Sequence, residues 1–241
     1  MTHRLYDLGL KKIIVKPTVD GEFGCGVMLF EFSDSIGGWK SKHDGSTLTA
    51  EFLTKKIGDD FILQEAIEQH SDIAKFNSSS VNTLRLAVYR SVKDEQCHII
   101  GAIMRIGSHG SIVDNAHQGG CFVGIDKNGK FGKVVCNQYG QIKQVFNDID
   151  FKDYYYYPKW DSVISFAKDI CKCIIHHRLV ALDIAIDING NPKLIEFNII
   201  PGTFGSWVFQ YTVGPVFGDY TEEILEYCKQ ITKKTPLYKL K

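Results

Sequence analysis

The chain has 241 residues, 44% hydrophobic and 23% charged, and its 28 basic side chains balance 28 acidic ones. This is a globular composition, and a formal net charge of zero excludes bulk attraction to nucleic acid or to an anionic membrane, leaving only local basic pockets. No stretch approaches the roughly 20 apolar residues of a membrane span, and the polar start Met1-Thr2-His3-Arg4 leads into no apolar signal segment, so the sequence reads as cytoplasmic.

A short apolar run over 11–15 predicts a strand that ends at Lys16-Pro17, because proline pushes the residue before it into extended backbone. A loop bearing Gly21, Gly24 and Gly26 then leads into an apolar run over 27–32, the pattern of a hairpin. A helix is expected over 47–57 with Ser46 as its cap, then a strand over 61–65. The polar segment 71–80 has room for one helical turn. Long strands over 83–92 and 97–106 follow, then a glycine-bearing loop over 108–120 and short strands near 121–125 and 133–137. Helical spacing of Val163, Ile164, Ala167, Ile170, Cys171 and Ile174 predicts a helix over 161–177. Strands over 179–188 and 193–198 meet at Asn189-Gly190, and a last helix over 220–233 has Asp219 as its expected cap. Strands that mostly follow one another directly predict an antiparallel α+β fold. Seven cysteines without a zinc-like pair are expected as reduced core thiols.

Three groups of residues carry possible chemistry. The first is the hairpin holding Asp183, Glu196 and Asn198. Asn-Gly favours a two-residue type I′ loop, which pairs Ile188 with Asn191 and, counting outward, Asp183 with Glu196; Pro192 then falls opposite Asp187 at a non-hydrogen-bonded position. Opposed like charges flanked by Leu182, Ile184, Ile195 and Phe197 call for compensation, which a bound cation supplies, and Asn198 adds a neutral oxygen suited to Mg²⁺. A solvent-facing carboxylate pair is the alternative. The second group is Lys16 with Gly21, Gly24 and Gly26, which can present a point charge and backbone N–H groups to phosphate, or form only a turn. The third is Arg85 and Arg105 on adjacent strands, able to grip a phosphate or carboxylate from one side or to make surface ion pairs.

Taken in order, Val15-Lys16-Pro17 with its glycine loop, the segment from Ile62 to His70, Ser79-Ser-Val-Asn82-Thr-Leu-Arg85, Arg105-Ile-Gly, Val113-Asp-Asn115-Ala-His-Gln-Gly119-Gly120, Ala181-Leu-Asp183 and Ile195-Glu196-Phe-Asn198-Ile-Ile-Pro201-Gly202 resemble the ATP-grasp superfamily. Within it the resemblance is to the sugar-transfer-associated family, relatives of the α-L-glutamate ligases. It implies two α+β lobes with antiparallel sheets enclosing a nucleotide cleft: residues 1–70 as the glycine-loop nucleotide-binding lobe and 71–241 as the lobe with the metal and substrate site.

The resemblance further implies ATP and Mg²⁺ (or Mn²⁺) as cofactors, with the cation on Asp183, Glu196 and Asn198 and Lys16 on the phosphates. Gln64, Glu65 and Ile67 would meet adenine, Asn115 would contact phosphate and metal, and Arg105 and Arg85 would act catalytically on an acyl-phosphate and its carboxylate donor. The implied reaction joins a small-molecule carboxylate to an amine or thiol, on a polysaccharide or nucleotide-sugar acid or an amino-acid-like metabolite. Family members carry an upstream domain, which this chain lacks, so an upstream segment, a second copy or a partner chain is expected to complete the cleft. A non-catalytic nucleotide-binding module and an ATP-grasp kinase remain as alternatives.

Overall fold

The computed structural model describes residues 2–18, 26–199 and 217–234. The chain forms two compact units, Met1–Glu68 and Gln69–Lys241. Gly21 and Gly24 of the glycine loop, Cys25, and the Pro201-Gly202 motif lie outside the described residues.

The first unit begins with a short helix α1 (Thr2–Asp7) and builds a four-stranded antiparallel sheet in the order β3-β2-β1-β4, from β1 (Lys12–Pro17), β2 (Met28–Ser33), β3 (Gly38–Ser41) and β4 (Phe61–Glu65). The period-2 alternation of β1 sends Ile13 and Val15 into a core with Phe30, Trp39, Leu48 and Leu53, while Ile14 and Lys16 take the opposite face. Helix α2 (Ala50–Ile57) starts later than its apolar spacing predicts, and Thr49 rather than Ser46 caps it by accepting from the Phe52 N–H at 3.0 Å. The reason is upstream: Leu48 donates its N–H to the Trp39 carbonyl and Thr47 bridges Lys40, so both residues belong to the sheet edge. Strand β3 escaped prediction because it is four residues long and opens on glycine.

The second unit opens with a single helical turn, α3 (Ser71–Ala74), and is dominated by a seven-stranded antiparallel sheet, β13-β12-β5-β6-β7-β8-β9. Its strands are β5 (Leu84–Arg90), β6 (Cys97–Ile106), β7 (Cys121–Ile125), β8 (Phe131–Cys136), β9 (Ile142–Lys143), β12 (Leu179–Ile186) and β13 (Pro192–Asn198). A separate hairpin, β10 (Val145–Phe146) and β11 (Ile149–Asp150), turns on Asn147 and Asp148, both at positive φ. Helix α4 (Trp160–Cys173) lays Val163, Ala167 and Cys171 on one sheet face against Leu84, Leu86, Val88, Met104, Val180 and Leu182. It stops four residues before its predicted end, where Arg90 Nη2 takes the Ile175 carbonyl at 2.6 Å and the Arg90 N–H takes that of Arg178 at 2.7 Å, tying the chain to β5.

Helix α5 (Thr221–Lys234) follows a 3₁₀ turn, Gly218–Tyr220, so Asp219 lies inside that turn instead of capping the helix. Glu223 anchors α5 by accepting from Tyr89 Oη, Ser91 Oγ and the Val92 N–H at 2.8–2.9 Å. Of the six cysteines among the described residues, Cys97, Cys121, Cys136 and Cys171 are buried free thiols, while Cys173 and Cys228 are exposed. Among the described residues no helix is long and apolar enough to cross a membrane.

The β12–β13 hairpin departs from the predicted turn. Asp187 pairs with Asn191 around a three-residue loop, Ile188-Asn189-Gly190, with Gly190 at φ +84°. The Asp187 carboxylate selects this loop by accepting from the N–H groups of Asn189 (3.0 Å) and Asn191 (2.8 Å). Pro192 therefore faces Ile186, not Asp187, and the ladder near the turn is one residue out of the predicted register. A bulge at Ile195 then takes up one residue, so that Ile184 pairs with Leu194 but Asp183 pairs with Glu196. The predicted opposition of the carboxylates is present, reached through a different turn and a compensating bulge.

Candidate active site

The second unit gathers its charged groups on the sheet face opposite α4. Register places Glu196, Asp183, Arg85 and Ile103 in one row across β13, β12, β5 and β6, and Arg105 lies two residues along β6 on the same face. Around them pack Ala87, Ile103, Ala116, Phe122 and Cys136. Asp183 is fully buried. Its carboxylate takes Arg85 Nε at 2.7 Å and Nη2 at 2.6 Å in a two-pronged grip, with Arg105 Nη1 at 3.4 Å.

Compensation of the opposed carboxylates thus comes from two guanidinium groups, a source the sequence argument had not considered. Burial alone would raise the Asp183 pKa, but the Arg85 hydrogen bonds and the charges of Arg105 and Arg85 hold it below the usual carboxylate range. Glu196 moves the other way, raised by burial and by its hydrogen bond to and repulsion from Asp183, with Arg85 Nη2 at only 4.0 Å. The two carboxyls therefore form an unequal pair, Asp183 shifted below the usual carboxylate range and Glu196 above it.

Arg105 is held from its other side. Its Nη2 meets Asp114 Oδ1 at 2.8 Å, and its Nε lies 3.0 Å from Thr83 Oγ1 and 3.3 Å from Asp114 Oδ2. Burial disfavours its charge, yet Asp114 and Asp183 outweigh this and raise its pKa. Asp114 is itself buried and accepts both the N–H (2.9 Å) and the hydroxyl of Thr83. Neighbouring Asn115 accepts from the His117 N–H at 3.0 Å, starting the 3₁₀ turn Ala116–Gln118.

In the first unit, Lys16 pairs with Ile62 and Ile14 with Gln64, so Lys16 and Gln64 share the sheet face away from the core. Glu65 pairs with Ile13 and takes the other face, and Ile67 is half-buried beyond the end of β4. Gly26, at φ +76°, lies where an added Cβ would come within 3.1 Å of the Pro17 ring, so it closes against the strand end that bears Lys16. A cavity of about 400 Å³ at the start of α4, lined by Lys127, Asn128, Lys159, Trp160, Asp161 and Ser162, contains none of these residues.

The profile of a family described as sugar-transfer associated ATP-grasp matches residues 2–217. The chain belongs to this family. No curated protein matches it. Among solved structures, D-cycloserine synthetase DcsG is similar at 12% identity and a TM-score of 0.46, over 93% of this chain and 59% of that one. An L-amino acid ligase from Bacillus licheniformis is similar at 12% identity and 0.44, over 88% and 38%. The ATP-grasp ligase PsnB, complexed with a phosphomimetic variant of its minimal precursor, Mg and ADP, is similar at 14% and 0.41, over 93% and 49%. The chain thus spans between 38% and 59% of the length of these proteins.

For this ATP-grasp chain the donor set around Asp183 fits a divalent cation. Glu196 stands directly opposite Asp183, whose negative charge raises its pKa, and a cation between the two would relieve that repulsion. Asn198 Nδ2 is buried without a partner, and exchanging the amide's nitrogen and oxygen turns that orphan donor into a ligand oxygen. Among the described residues no cluster of three or more His, Cys, Asp or Glu is assembled for a metal. Asp114 and Thr83 are the site residues that sequence reasoning quoted but left without a role. Their signal was weak, since a Thr and an Asp 31 residues apart pair only once β5 and the 107–120 loop meet.

Proposed function

We propose that this chain binds ATP and a divalent cation and serves as an ATP-dependent ligase, activating a carboxylate as an acyl-phosphate for attack by an amine or thiol. The observation that carries this reading is the row Glu196–Asp183–Arg85 with Arg105 alongside, two carboxyls and two guanidinium groups on one sheet face of an ATP-grasp family member. Asp183, Glu196 and Asn198 would hold Mg²⁺, which when bound neutralises phosphate oxygens and offsets charge as the acceptor oxygen closes on the γ-phosphorus.

The chain's own residues do the rest by position and charge. Arg85 and Arg105 present fixed N–H donors to the transferring phosphoryl and to the donor carboxylate, stabilising negative charge where it develops. Both are oriented by buried carboxylates before any substrate arrives, so little reorganisation remains at the moment of reaction. Lys16 adds a point charge to the ATP phosphates, Asn115 a phosphate and metal contact, and Gln64, Glu65 and Ile67 meet adenine; the first unit is then the nucleotide-binding lobe. The substrates are proposed as an acidic sugar derivative or an amino-acid-like acid, with a small amine. Incubating the protein with ATP, Mg²⁺ and pooled acids and amines should release ADP and phosphate only when both an acid and an amine are present. ADP formed with an alcohol alone, the phosphoryl group ending on the alcohol and not as free phosphate, would favour a kinase, and tight ATP binding without turnover in any pool would favour a non-catalytic module.

A further inference from the structure

Arg105 sits on β6 directly opposite Thr83, its N–H bonded to the Thr83 carbonyl at 2.8 Å, and strand geometry alone leaves its long side chain free to rotate. The structure removes that freedom. Asp114 meets Nε and Nη2 with its two carboxylate oxygens, a fork-to-fork contact that fixes the plane of the guanidinium as well as its distance. Thr83 Oγ1 meets Nε as well, leaving Nη1 as the nitrogen presented beside Asp183.

Asp114 has no freedom of its own. Both Thr83 donors point at its Oδ2, and its loop is clamped at each end by a glycine. A Cβ on Gly107 would lie 2.6 Å from Ser80 Oγ and from the Val113 carbonyl; one on Gly120 would lie 2.8–3.0 Å from the carbonyls of Ile106, Asp114 and Asn115. Asn77 fastens the far side, donating to Ser80 Oγ at 2.8 Å and to the Ser108 carbonyl at 3.3 Å.

We propose that Asp114, seated by Thr83, is a positioning residue that aims Arg105 at the phosphoryl group in transfer. The inference rests on the nucleotide reading above, because the aim has meaning only if a γ-phosphoryl comes beside Asp183. Neutralising a half-buried Arg105 would not by itself need a two-pronged contact, since Asp183 already supplies an opposite charge.

The test compares two probes, ADP·Mg²⁺ and ADP·Mg²⁺ with aluminium fluoride as a mimic of the phosphoryl in transfer. In Asp114→Asn, ADP·Mg²⁺ affinity should stay within about twofold of wild type while the advantage of the aluminium fluoride complex falls about tenfold or more. Thr83→Val should lose part of that advantage and Thr83→Ser should keep it, so a folding failure of Asp114→Asn does not end the test. In the nucleotide-free protein, the Arg105 Nε–H resonance should be protected from exchange in the wild type and in Thr83→Ser, and lose protection in Thr83→Val. Equal loss for both probes, or an unchanged Nε–H in both Asp114→Asn and Thr83→Val, overturns the positioning role. If the wild type binds neither probe, the nucleotide reading fails and the proposal falls with it, while the resonance reports separately whether Arg105 is held.

Discussion

Replacing Arg85 with methionine keeps an unbranched stem but removes both nitrogens that grip Asp183. Asp183 is fully buried, and the two lost contacts, at 2.6 and 2.7 Å, are shorter than the 3.4 Å approach of Arg105 that remains. Removing one partner of a buried pair typically costs about 3–5 kcal/mol. Arg105 is shared with Asp114, so its residual help is small, but the loss has a ceiling. A variant that cannot bear the unpaired charge takes a proton on Asp183 instead, and a neutral carboxyl is far cheaper to bury than a carboxylate. The expected loss at pH 7 is therefore about 3–4 kcal/mol, a urea midpoint about 1.5–2 M lower for a slope of about 2 kcal/mol/M. Asp183→Asn in the same chain should recover much of it, giving a coupling above about 1.5 kcal/mol in the double-mutant cycle. A midpoint for Arg85→Met within about 0.3 M of wild type, or additive single and double variants, would refute the claim that Arg85 compensates a buried charge.

Glu223→Gln should cost about 1–3 kcal/mol at pH 7, since three donors converge on one carboxylate oxygen. Burial would raise the Glu223 pKa but those hydrogen bonds lower it, so its contribution is present above the unfolded carboxylate pKa and is lost as pH falls through the lower folded value; the gap between wild type and variant, followed by circular dichroism, should narrow below about pH 4. Gly120→Ala should lower the melting temperature more than Gly110→Ala, because the first places a methyl against three carbonyl oxygens and the second, at φ +78°, meets nothing within 4 Å and costs only the left-handed backbone penalty of about 1–2 kcal/mol. Lys16→Met should weaken binding of ATP and ADP in calorimetry while leaving adenosine affinity nearly unchanged; equal loss for all three would indicate a folding defect.

Much of this molecule was legible because its strands and helices follow simple periodicities. The apolar runs of β1, β5 and β6 and the helical spacing of α4 all survive folding, each burying the residues that made it legible. What escaped prediction depends on side chains reaching backbone. Thr49 displaced Ser46 as a cap because Leu48 is held by Trp39, and the Asp187 carboxylate overrode the two-residue loop that Asn189-Gly190 favours. The candidate site divides in the same way: counting out from the turn reached Asp183 opposite Glu196 only because a bulge offsets the loop's extra residue, and Arg85 as the compensating charge and Asp114 as the seat of Arg105 need strands distant in sequence to meet.

The most direct test of the central claim is a calorimetric titration of ATP into the wild type and Glu196→Gln, each with Mg²⁺ and with chelator. If Asp183 and Glu196 form the cation site of an ATP-binding chain, the wild type should bind ATP at least tenfold more tightly with Mg²⁺ than without, and Glu196→Gln should lose most of that difference while keeping the wild-type urea midpoint. Equal ATP affinity in the presence and absence of Mg²⁺, or an unchanged Mg²⁺ dependence in Glu196→Gln, would contradict the account.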